Sequence, residues 1–132
     1  MKKFLSALMI ALIVTFSANI CAANRYDDDP DYVYVMAHGQ GIVYLYIRSI
    51  DVQEYNPPHY QIAGTFVHVS GMYHNLGKTT TYYVTKRYNW YTKETFRRND
   101  YGNWEKDYNV YHAKVEADAL FRAAYGMDFY GY

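Results

Sequence analysis

Glu105 and Asp107 stand two residues apart in the segment NWEKD (103–107). In a strand that spacing puts both carboxylates on one face. Paired carboxylates are the machinery of glycoside hydrolysis, one serving as acid and the other as base or nucleophile. Such chemistry needs a pocket that drives the two pKa values apart, and nothing in the surrounding residues suggests one. A solvated strand face is the simpler reading, with a small hydrolase using Glu105 or Asp107 as a remote alternative. Beyond residue 23 there are two serines, Ser49 and Ser70, and neither sits in a G-x-S-x-G elbow. The five histidines, His38, His59, His68, His74 and His112, form no H-x-H, H-x-x-x-H or H-E-x-x-H spacing. His68 and His74 could meet His38 in a fold, but those separations carry no metal signature. The residue types thus point to no catalytic residue, no metal site and no cofactor.

A second constellation is basic and aromatic. Lys86, Arg87, Lys93, Arg97 and Arg98 are interleaved with Tyr88, Trp90, Tyr91 and Phe96. Aromatics among cations bind single-stranded nucleic acid or polyanionic sugars. Strand alternation works against one focused patch, since Lys86 must oppose Arg87 and Arg97 must oppose Arg98. Glu94 is expected to pair with Arg87 or Lys86 across a turn. Trp90 and Tyr91 fall at the tip of that proposed hairpin. A tryptophan there must fold inward or touch a partner. The candidate binding site is therefore Trp90 and Tyr91 with Lys86, Arg87, Lys93, Arg97 and Arg98. Its expected role is contact with a protein or an envelope polymer.

These residues need a scaffold. DYVYVMA (31–37) and GIVYLYI (41–47) read as strands joined by the glycine-rich turn at 38–41. The stretch 48–59 is expected to leave the sheet as an exposed connection, because Pro57 and Pro58 forbid a central strand. YQIAGTFVHVS (60–70) is the longest strand candidate. Ile62, Gly64, Phe66 and His68 alternate with Ala63, Thr65, Val67 and Val69, so both faces are partly apolar and the strand is central. A loop at 71–78 leads to TTTYYVTKRY (79–88), then to KETFRRN (93–99) and a short last strand at 103–107. The segment 110–126 is helical. Val110, Ala113, Ala117, Leu120, Phe121 and Ala124 share a face, while His112, Lys114, Glu116, Asp118 and Arg122 point elsewhere. Asn109 is placed to cap its start and Gly126 to stop it, and Asp118 and Arg122 are spaced as an i,i+4 pair. The tail MDFYGY (127–132) folds back on the same core. The expected fold is α+β: a meandering antiparallel sheet of five or six strands covered by one C-terminal helix.

The first residues bear on location. Lys2 and Lys3 precede an apolar run at 4–16, and small residues follow at Ala18, Ala22 and Ala23. That is the layout of a secretory signal peptide over 1–23, with cleavage after Ala23. The run is shorter than the roughly 20 residues that span a bilayer. Cys21, the single cysteine, would leave with the signal. Residues 24–31, NRYDDDPD, read as a flexible acidic leader, and 32–132 as one domain. Losing Lys2 and Lys3 takes the basic residues from 13 to 11 against 13 acids, a net charge of −2. That balance implies neither nucleic acid nor an anionic membrane as partner. All 18 tyrosines fall in the mature part, as cross-strand packing or as a binding face.

The segment GIVYLYIRSIDVQEYNPPHYQIAGTFVHV resembles one in small exported proteins of unknown function from outer-membrane-bearing Firmicutes. The likeness runs through 44–50, 55–62, 100–104 and 124–131, and so over most of the mature chain. The acid usual in the first phrase is replaced by Tyr46 or Arg48. The order of elements is loosely similar to the surface-adhesin protein E family, although the cysteines common there are missing from the mature chain. That resemblance implies export, to the periplasm, the cell surface or the extracellular medium, and binding of host proteins rather than catalysis. The expected function is an exported non-enzymatic envelope or surface protein that binds through an aromatic-rich surface. The alternative is a periplasmic ligand-binding or inhibitor-like module of the same fold, with a pocket between helix and sheet.

Overall fold

A computed structural model describes residues 25–72 and 76–132. The signal peptide expected at 1–23, with Cys21, and His74 of the histidine set lie outside the described residues. Six strands form one antiparallel sheet in chain order: β1 (Tyr32–Ala37), β2 (Gly41–Asn56), β3 (His59–Ser70), β4 (Thr79–Asn89), β5 (Glu94–Arg98) and β6 (Trp104–Lys106). A helix, α1 (Tyr111–Tyr125), follows and covers one face. This is the expected α+β meander.

The β1–β2 turn carries positive φ at Gly39 and Gln40. Two successive positive φ values match the right-handed twist of a tight hairpin. The stretch 48–59, expected to leave the sheet, instead stays in it. β2 remains paired with β3 as far as Asn56, and the cis-linked Pro57 and Pro58 form only the turn. Between the pairs Tyr46–Thr65 and Asp51–Ala63, β2 holds three more residues than β3 can match. The resulting bulge would orphan ladder groups. Ser49 fills the gap: its Oγ accepts from Thr65 N at 2.7 Å and donates to Tyr46 O at 2.6 Å. The prolines lack N–H donors but sit where the ladder needs none.

α1 lies over β2 and β3, with Leu120 and Phe121 against Leu45, Ile62 and Phe66. The approach is close at Gly64, where a Cβ would stand 2.8 Å from Leu120 Cδ2 and 3.1 Å from Ile50 Cδ1. The helix ends at Gly126, in the left-handed region, as expected. Its start differs. Val110, not Asn109, is the N-cap; it is extended, makes no side-chain cap bond and is 41% exposed. The buried face also differs, taking in Val115, Ala119 and Asp118. Arg122 pairs with Asp128 at 2.5 Å and not with Asp118.

The other face of the sheet has a smaller apolar cluster of Tyr44, Val67 and Val69. Onto it folds the segment expected as a flexible leader. Residues 25–27 are helical. Tyr26 stacks on Tyr44 at 5.2 Å and meets Tyr32 edge-on at 4.8 Å. Asp27 accepts from the Tyr44 hydroxyl at 3.0 Å. Burial, then that bond, pushes the Tyr44 phenol up to about 12. The apolar body of Tyr26 finds ring partners there, which outweighs the acidic composition around it.

Candidate functional site

Strand alternation sorts the basic stretch into two groups. Lys86 pairs across β4–β5 with Arg97, and Arg97 pairs across β5–β6 with Glu105. All three lie on the helix side with Asp107. Lys86 is 2% exposed, and its ammonium donates to Asp107 and reaches Glu116 of α1 at 3.2 Å. Arg97 donates to Glu105 and lies 4.1 Å over the Tyr108 ring. The two carboxylates considered for hydrolysis are thus each held by a cation. Lys86, expected in an exposed patch, is instead an internal counter-ion, whose charge offsets those of the enclosed Asp107 carboxylate and the half-buried Glu116. Glu94 pairs with Lys106 at 2.6 Å rather than with Arg87 or Lys86. The Lys106 bond holds the Glu94 carboxyl below the usual carboxylate range.

Trp90 is turned inward. It has the parity of Lys86 and Tyr88, so it continues their face past the end of β4. Its ring stacks on Phe121 at 5.6 Å and meets Phe129 edge-on at 5.6 Å. Lys93 lies 3.1 Å over the indole and donates to Phe129 O at 3.1 Å. Lost hydration there pulls the Lys93 ammonium below the usual lysine value, while Asp118 acts to raise it. Tyr91 alone stays at the tip, 82% exposed. The Trp90→Ala variant is expected to lose about 3 kcal/mol of stability, the low end for a core tryptophan because the ring is only half-buried. Denaturant unfolding checks this, and a midpoint equal to wild type would remove Trp90 from the core.

The remaining pair, Arg87 and Arg98, faces away from the helix. Arg87 lies 4.2 Å and Arg98 5.0 Å from the ring of Trp104 on β6. Arg87 Nε donates to Gln61 Oε1 at 2.8 Å, Gln61 Nε2 to Gln53 Oε1 at 2.5 Å, and Gln53 Nε2 to Asp51 Oδ2 at 3.2 Å. A line of planar polar side chains therefore crosses β2, β3 and β4 and ends on an indole. It borders an open groove of about 500 Å³ lined by Glu54, His59, Arg87, Asn89, Phe96 and Trp104 among others. Farther along the same face Tyr83 is exposed. Sequence reasoning does not single out Trp104, Gln53, Gln61 or Asp51 as site residues. A signal exists for one of them: Trp104 adjoins Glu105, so alternation alone assigns it to the opposite face.

A second, more apolar groove of about 350 Å³ runs between β1–β2 and α1, lined by Val33, Leu45, Ile47, Val115 and Ala119 among others. Arg122 at its margin is already bonded to Asp128 and to Tyr132 O. At the far end of the sheet the His38 and His112 rings stack at 4.6 Å, and His68 Nε2 lies 3.0 Å from His38 O. Among the described residues no group of histidines, cysteines or carboxylates is arranged to hold a metal ion. No described helix is long and apolar enough to cross a membrane. Compared with known proteins, the chain matches no family model, no curated protein and no solved structure.

Proposed function

We propose that the protein is an exported, non-catalytic binding module that holds an extended polymer against the face of its sheet opposite α1. The observation that carries this reading is the continuous run of Asp51, Gln53, Gln61 and Arg87 leading to Trp104. Each amide in the run both donates and accepts, and Asp51, Gln53 and Arg87 are exposed. Such a surface can meet a partner that presents many small polar groups along its length, with the aromatic end contributing apolar contact. The helix side supports binding less well. Its cations Lys86 and Arg97 are already held in ion pairs, and Arg122 is tied at the apolar groove. Export rests on residues 1–23.

The test is affinity electrophoresis through gels that contain soluble polysaccharides, neutral and charged. At least one polymer should retard the wild-type protein. The Trp104→Ala variant should lose at least tenfold of that affinity while keeping its fold by circular dichroism. Tyr91→Ala, at the hairpin tip, should bind as wild type. If retardation is unchanged in Trp104→Ala, the open face is not the binding surface.

A further inference from the structure

We infer that the polymer is an acidic glycan, and that Arg87 and Arg98 together grip a carboxylate on it. This rests on the binding role proposed for the open face and names the class of ligand.

Charge complementarity favours an anion. Among the described residues Arg48, Lys86, Arg97, Lys106 and Arg122 are each paired with a carboxylate. Arg25, Lys78, Arg87, Lys93, Arg98 and Lys114 are not, and of these Arg87 and Arg98 converge on one indole. Arg87 is bonded only through Nε, to the neutral Gln61. Guanidinium groups held against a ring have already lost part of their freedom, so less is lost when they take a carboxylate. The other end of the run is acidic at Asp51, while Glu54 lines the groove beside Arg87. A ligand lying along it would place its anionic group at β4–β6 and hydroxyls toward β2.

Sheet topology separates a glycan from an acidic peptide. β3 and β4 lie inside the sheet and are paired on both sides. A peptide crossing them finds no free strand edge for its backbone groups. Sugar hydroxyls need none: each donates and accepts on a short arm, as the side-chain amides of Gln53 and Gln61 do.

The experiment uses the mature chain, with polygalacturonate, alginate and hyaluronate as acid polymers. Methyl-esterified polygalacturonate, dextran and poly-glutamate are the comparisons. At least one acid polymer should bind. For polygalacturonate, esterification should weaken binding tenfold or more, or, where another acid polymer binds, that polymer should exceed dextran by that factor. The Arg87→Gln/Arg98→Gln double variant should lose tenfold or more toward the acid polymer while melting as wild type. Should the variant fail to fold, the esterified and neutral polymers on wild-type protein decide alone. Binding that ignores esterification, or that favours dextran, overturns the inference and leaves the open-face reading standing. Poly-glutamate binding as tightly as the acid glycans replaces the glycan with an acidic peptide. Retardation by none of these polymers overturns both.

Discussion

Lys86→Ala is expected to destabilise the protein by about 3–5 kcal/mol, the range for removing one partner of a buried ion pair. The side chain is nine-tenths or more enclosed, as is that of Asp107. Its ammonium is the only cation placed between Asp107 on the turn after β6 and Glu116 on α1 among the described residues. Without it two carboxylates face one another with little water. Arg97, the cross-strand neighbour of Lys86, already serves Glu105. A domain of this size has about 5–15 kcal/mol of stability in all, so the variant should sit near the edge of folding. Urea unfolding measures the loss. A companion variant tells desolvation from lost packing. Lys86→Met with Asp107→Asn and Glu116→Gln removes every charge of the set and should recover most of the stability. If the triple variant is as unstable as Lys86→Ala, the loss comes from volume and hydrogen bonding rather than from uncompensated charge.

What alternation and turn chemistry control was legible in the residues. The hairpin at 38–41, the central strand with two apolar faces, and the division of Arg87 from Lys86 all follow from neighbours in the chain. What depends on distant partners was not. Ser49 gives no sign in sequence that its hydroxyl will cap a bulge, because the donor, Thr65 N, lies sixteen residues away. Pro57 and Pro58 suggest an end to the sheet, whereas the ladder needs only a turn without donors at that point. The polar neighbours of Trp90 point it outward, while its parity with Lys86 and Tyr88 turns it in. Charge misleads most. Lys86 and Asp118 look solvated by type, yet each is buried because the fold brings it an opposite charge or a set of donors. The line from Asp51 to Trp104 is assembled from β2, β3, β4 and β6, so no local motif could announce it.

Asp118 sets the second large effect. It is 1% exposed on α1. Its Oδ1 accepts from the backbone N–H groups of Phe129 at 3.0 Å and Tyr130 at 2.6 Å. Its Oδ2 accepts from those of Gly131 at 2.9 Å and Tyr132 at 2.7 Å. One carboxylate thus satisfies four successive donors of the tail after Gly126, each a charge-assisted bond of about 1.5–3 kcal/mol. The effect reaches the core, because the cradle fixes Phe129 against Tyr88, Trp90 and Phe121. Asp118→Ala leaves the tail two choices. It can stay with four unsatisfied donors, or it can swing into water and take Phe129 out of the core. The second route limits the loss to about that of deleting a buried phenylalanine, 3–5 kcal/mol. Hydrogen exchange at residues 129–132 distinguishes the routes, and the amides should become as fast as those of an unstructured peptide. Asp118→Asn is expected to fare little better. Its amide oxygen keeps one pair of donors, but its NH₂ group then points donors at donors on the other side. If Asp118→Asn keeps wild-type stability and slow exchange through 129–132, shape rather than the two-oxygen acceptor holds the tail, and Phe129 stays in the core without the carboxylate.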